Sequence, residues 1–189
     1  ADDVPTYEYD PEKAKQILTD AGYTLPVPLE FWYPTDVSRP YMPDPKRNFE
    51  AFAASLNKSG FKVVPHSAPW SPDYLGRAQE GKAGHLHLLG WTGDFGDPDN
   101  FIGVFFQQPT DQFGFENAEL TQLLDDAEVE TDEARRTSLY QDANRMIMEF
   151  LPGVPYVHTE PALAFNANVK GYVPSPVSLM LMAMSIGAI

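Results

Sequence analysis

The chain has 189 residues, 43% hydrophobic and 21% charged, enough apolar material for a real core in one domain or two small ones. Its formal net charge of −14, from 27 acids and 13 bases, argues against nucleic acid or an anionic membrane surface as a partner, since both demand clustered Lys and Arg, and turns any charged ligand toward positive groups. It has no cysteine, which excludes disulfides, thiol chemistry and cysteine-ligated zinc, and no apolar run long enough for membrane insertion.

Three units share one grammar, in which a proline opens a helix and a glycine closes it. Asp10 and Pro11 supply an N-cap and a first helical position, Ala14, Ile17, Leu18 and Ala21 recur at helical spacing, and Gly22 stops the run. A strand follows over residues 27–33. Asp44 and Pro45 open a second helix with Phe49, Phe52, Ala53 and Leu56 on one face, closed by Gly60, and residues 61–64 read as the next strand. Ser71 and Pro72 open a third, shorter helix carrying Tyr74, Leu75 and Ala78, which ends at Gly81 and feeds a buried strand over 85–90. Helices alternating with short strands predict an α/β layer with parallel central strands, where ligands sit beyond the carboxyl ends. At that position stands GWTGDFGDPDNF, from Gly90 to Phe101.

Beyond this loop, residues 117–128 and 131–150 read as helices, the second with a stripe of Leu139, Ala143, Met146, Ile147 and Phe150 before Pro152 stops it. Residues 154–165 and 169–173 look like strands interrupted by prolines that suit edges or crossings between lobes. The last residues, 179–189, are apolar and Met-rich. The chain shows no internal repeat.

The loop aspartates Asp94, Asp97 and Asp99 do not fit the alternate-ligand pattern of an EF-hand, although an irregular calcium site stays open. Asp94 and Asp97 also have the residue types for a carboxylate-based hydrolase. The plainer reading of Asp97-Pro98 is a cap on a short helix around 100–105. Asp94 differs, because Gly93 and Gly96 flank it and let the backbone turn sharply to aim its carboxylate. His85 and His87 share a strand face and have metal-ligand chemistry, but two ligands without a third are weak, and satisfied strand histidines are the plainer reading. No nucleophile elbow, phosphate loop or dinucleotide fingerprint is present.

The succession YDPEKAKQILTDAGY, SRPYMPDPKRNFEAF, GWTGDFGDPDNF, RRTSLYQDANRMIMEFLPGVPYVH and VKGYVPSP resembles the C-terminal part of a bacterial ABC-transporter extracellular solute-binding protein, family 5, of the dipeptide/oligopeptide type. The resemblance implies an α/β fold of the periplasmic-binding-protein type II, with a mixed, mostly parallel sheet flanked by helices. Residues 1–189 would be the second lobe, with the 174–189 tail returning toward a first lobe that this chain lacks. It also implies an extracytoplasmic protein, periplasmic or lipid-anchored, that is not an enzyme, uses no cofactor or metal, captures short peptides by hinge closure and delivers them to ABC permease subunits. In dipeptide-binding members the aspartate of the Trp-Thr-Gly-Asp turn, here Asp94, receives the ligand's α-ammonium. The arginine of Arg-Pro-Tyr, here Arg39, receives its carboxylate. The ligand amides would pair with main chain along Gly90, Trp91, Thr92 and Gly93, with Trp91 either walling the cleft or filling core. Arg39 has two competing readings, a solvated loop residue or one replaced in its role by Lys46 or Arg47. The chain departs from the family where Gln107 and Gln108 stand in the neighbourhood of a cysteine pair that members often carry. Relatives on this scaffold bind nickel complexes, haem, glutathione or sugars, so a non-peptide solute stays open.

Overall fold

The computed structural model describes residues 4–159, 163–171 and, for the backbone alone, 185–186. Helix α1 (Pro11–Asp20) starts as its sequence dictates: Asp10 is extended and its Oδ1 accepts the Lys13 N–H at 2.9 Å. Helix α2 (Pro45–Lys58) repeats the device, with Asp44 accepting the Arg47 N–H at 3.1 Å. Each helix is followed by a glycine at positive φ, Gly22 at +86° and Gly60 at +96°, which turns the chain sharply away from the helix axis.

Strands β1 (Val27–Pro34) and β2 (Phe61–Ala68) pair in parallel over their full length, Val27 opposite Phe61 and Pro34 opposite Ala68. Strand β3 (Leu86–His87) adds to the other side of β1, also in parallel, giving the order β2-β1-β3. The α/β layer with parallel central strands is therefore present. Helix α2 covers the sheet: the Phe49 ring lies 5.1 Å from Phe31 and 4.6 Å from Tyr33, and this core also contains Met42, Ala53 and Leu88.

A second core lies between α5 (Ala118–Val129), capped by Asn117, and α6 (Glu133–Phe150), capped by Asp132. Leu120, Leu124, Ala127, Tyr140, Ala143 and Ile147 form it together with Phe115. Helix α4 (Asp99–Phe106) leans on this core through Ile102 and Phe106.

Several expectations need correction. The third helix is shorter and less regular than expected. Ser71 is extended at φ −131° and ψ 136°, Trp70–Tyr74 forms a wide π-type turn, and α3 (Leu75–Gln79) spans five residues. The cause is Tyr74, fully buried, whose hydroxyl lies 2.6 Å from the Leu88 carbonyl and draws this turn under the sheet. Of the strand expected over 85–90, Leu86 and His87 pair with Phe31 and Trp32, bordered by hydrogen bonds from the His85 and Leu88 N–H groups to the Glu30 and Trp32 carbonyls, and His85 is exposed. Residues 154–159 and 163–165 form no strand. Of the strand expected over 169–173, Val169–Lys170 form β4, antiparallel to β5 (Ser185–Ile186), and residues 172–173 lie outside the described residues. Phe150, expected in the apolar stripe of α6, is 62% exposed and touches only its edge, with its ring 4.6 Å from Phe115. Except for 185–186, the tail 174–189 lies outside the described residues.

Replacing Leu124, which has no exposed surface, by Ala should lower the unfolding free energy by about 2–5 kcal/mol in urea denaturation. The same truncation at Val129, 77% exposed at the end of α5, should change it by less than about 0.5 kcal/mol.

Candidate functional site

Because the three strands run in parallel, the segments after Pro34, Ala68 and His87 all leave from one edge of the sheet. This edge gathers Arg39 from the first exit, Trp70 from the second and the loop of Gly90, Trp91, Thr92, Gly93 and Asp94 from the third.

Arg39 sits in a tight loop in which its N–H and carbonyl exchange hydrogen bonds with Met42, at 3.1 and 2.9 Å. Met42 is fully buried and anchors that loop. The Arg39 guanidinium is not solvated at random: its Cζ stands 4.9 Å from the centroid of the Trp70 ring, and its Nε is buried without a hydrogen-bond partner. Lys46 and Arg47 do not share this position. They lie on the first turn of α2 and pair with Glu50 and Asp44, at 3.8 and 3.1 Å.

A Cβ at Gly90 would enter the ring of Tyr41, so that ring packs directly on the Gly90 backbone. This contact joins the Arg39 loop to the Asp94 loop. Gly93 has the same constraint against the Phe101 ring. Trp91 is 42% exposed and meets Phe105 edge-on at 6.0 Å. Thr92 and Asp94 are exposed. The Asp94 N–H donates to Oδ1 of Asn100, a side chain 6% exposed, at 2.6 Å, so the residue's backbone is held from inside while its carboxylate faces solvent.

Asp97 belongs to the scaffold. Its oxygens receive a bidentate pair of hydrogen bonds from Arg136, at 2.8 and 2.9 Å, and Oδ1 also accepts the Asp99 N–H at 2.9 Å. The cap reading of Asp97 is correct, and α4 starts at Asp99. The Arg136 guanidinium holds the Asp97 carboxyl below its ordinary range, while burial raises that of Asp99, helped by nearby Glu128 and Asp97. A carboxylate so engaged is not available as the partner of Asp94 in a hydrolase pair, nor as a ready calcium ligand. Arg136 further donates its Nε–H to the Ala127 carbonyl at 2.9 Å and lies 5.0 Å from the Tyr140 ring. Sequence reasoning missed this arginine. Its only signal was an adjacent Arg135-Arg136 pair early in a helix, and nothing local says that one of them reaches 39 residues back.

Gln107 donates both amide protons across to α5, to Asp125 at 2.9 Å and Glu128 at 2.8 Å. The two strand histidines serve separate purposes. Nδ1 of His85 accepts the Glu30 N–H at 3.0 Å, and His87 stacks on Phe113 at 6.2 Å, where burial lowers its pKa. Among the described residues no group of three metal-ligating side chains forms.

The model of bacterial extracellular solute-binding proteins, family 5 Middle, matches residues 1–113. The chain belongs to this family. It is 38% identical over 179 residues to Heme-binding protein A of Haemophilus influenzae, covering 93% of this chain and 32% of that protein. It is 33% identical over 181 residues to the Dipeptide-binding protein of Escherichia coli, covering 93% of this chain and 33% of that one. The structure of a dipeptide-binding protein from a Pseudoalteromonas species, in complex with Met-Leu, superposes with a TM-score of 0.76 at 30% identity, covering 96% of this chain and 35% of its own. The fold is that of the type II periplasmic binding proteins. This family-5 chain spans about a third of the length of the curated relatives it matches.

The Asp97–Arg136 pair generates a pH-dependent prediction. Asp97→Asn should lower stability at neutral pH by about 1 kcal/mol, a bidentate charged hydrogen bond discounted for partial exposure. Since pairing lowers the folded-state pKa, its contribution is complete above the ordinary value of 3.8 and is lost as pH falls through the depressed one. Urea titrations of wild type and variant should therefore differ at pH 7 and converge on acidification.

Proposed function

We propose that this chain is the second, C-terminal lobe of an extracytoplasmic protein that captures di- or oligopeptides for import by an ABC transporter. Arg39 receives the peptide carboxylate and Asp94 its α-ammonium. The observation that carries this reading is the pairing of opposite, unneutralised charges on one sheet edge. Among the described residues Arg39 has no carboxylate partner and Asp94 no cation, whereas Asp97 of the same loop is engaged by Arg136. Two fixed charges set apart measure the span of a zwitterion and place no demand on its side chains. The backbone of Gly90, Trp91, Thr92 and Gly93 is the surface along which the ligand amides pair, with Trp91 as the wall. Support comes from relatives and structural neighbours named as peptide-binding proteins, one of them in complex with Met-Leu.

The remaining two-thirds of the protein supplies the opposing lobe. Closure of the two around the ligand forms contacts absent from the open state, which shifts the population toward a closed form that permease subunits recognise. Binding and release of this kind involve no covalent step. A second ligand class, haem, is supported by the name of the Haemophilus influenzae relative.

In the full-length protein, Arg39→Ala and Asp94→Ala should each weaken dipeptide binding by about 2–5 kcal/mol, the cost of leaving one charge of a close pair unmatched. This corresponds to roughly thirty-fold to a few thousand-fold in Kd. Calorimetric titration with a free dipeptide and with its N-acetylated and C-amidated forms checks it. Arg39→Ala should remove the penalty for amidation, and Asp94→Ala the penalty for acetylation. Unchanged dipeptide affinity in both variants, or tight haemin binding alone, would replace the peptide reading by another solute.

A further inference from the structure

Arg39 is held in an unusual way for so acidic a chain. Its acidic neighbour Asp36 spends Oδ1 on the Trp70 backbone N–H, at 2.6 Å. The guanidinium lies instead over the Trp70 indole, 4.9 Å from its centroid. That indole stacks on Tyr74, centroids 5.9 Å apart and planes 18° from parallel, and the buried Tyr74 hydroxyl stands 2.6 Å from the Leu88 carbonyl. The support under Arg39 thus runs from the exit of β2 to the exit of β3, two residues before Gly90.

A carboxylate would fix a guanidinium by neutralising it and occupying its donors. An aromatic face attracts it through the negative face of the ring, which restricts its position but leaves the net charge and the edge N–H groups for another partner. We propose that Trp70 is a positioning residue for ligand recognition, an aromatic shelf that aims Arg39 at the ligand carboxylate while keeping its charge unspent. The inference rests on the role given to Arg39 above. It adds a residue from a separate strand exit, and it explains how an arginine in a chain of net charge −14 stays free of ion pairs among the described residues.

The competing role for Trp70 is packing, since it also borders the core around Phe31 and Phe49. The two roles separate by which end of the ligand feels the change. In the full-length protein, competition titrations with a free dipeptide and its C-amide should show Trp70→Leu weakening the free form about 3- to 30-fold, the range of an indole–cation contact. The C-amide should be unaffected, and Trp70→Phe, which keeps an aromatic face, should recover most of the loss. As a ligand-independent readout, the Arg39 Nε–H resonance should move in Trp70→Leu through loss of the ring current. Equal weakening of both ligands, no weakening, or an unmoved resonance would overturn the shelf. Arg39→Ala serves as the control. If it abolishes carboxylate discrimination while Trp70→Leu preserves it, only the shelf fails; if it leaves discrimination intact, the role of Arg39 fails and the shelf with it.

Discussion

The parallel pairing of β1 with β2 is the constraint on which the rest of the site depends. An eight-residue register, from Val27 with Phe61 to Pro34 with Ala68, obliges both strands to end side by side. Strand β3, pairing with Phe31 and Trp32, adds a third end nearby. Each connection must return over the sheet, and helix α2 does so with Phe49 wedged against Phe31 and Tyr33. Three loops distant in sequence are delivered to one edge, and this is why an arginine at 39 and an aspartate at 94 belong to one surface.

Given that placement, the candidate site is defined by what the scaffold leaves unpaired among the described residues. The loop after β3 contains three aspartates whose fates are set by hydrogen-bond geometry. Asp97 is claimed by Arg136 and the start of α4, Asp99 is partly buried against Glu128, and Asp94 alone is held by its backbone with its carboxylate outward. The scaffold is thus polar and tightly bonded beneath the loop, while the outward surface keeps Trp91 and Asp94 exposed. Close backbone approach at Gly90 and Gly93, with no space for a side chain toward Tyr41 or Phe101, fixes the loop without spending those outward groups.

Much of this was legible in the sequence because the signals were local. An Asp-Pro pair before a helical apolar stripe gives α1 and α2 their starts, and glycines at positive φ give their ends. The cap role of Asp97 followed from the same pairing. What was not legible depends on distant partners. Ser71-Pro72 imitates the Asp-Pro signal, yet the buried Tyr74 decides that segment's path. Strand β3 pairs over two residues whatever the apolar run predicts, because how far a run pairs is set by its partner strand and not by the run itself. Trp70 under Arg39 and Arg136 against Asp97 are contacts across 31 and 39 residues, for which adjacent sequence carries no mark.

The double hydrogen bond of Gln107 to Asp125 and Glu128 gives the molecule a further property. It fastens α4, and with it the floor of the Asp94 loop, to α5 by protons instead of sulfur. In a chain without cysteine, this fastening forms with the fold itself, with no oxidant, no isomerase and no wrong pairing to undo. Formation of this part of the structure therefore does not depend on the redox state of the medium.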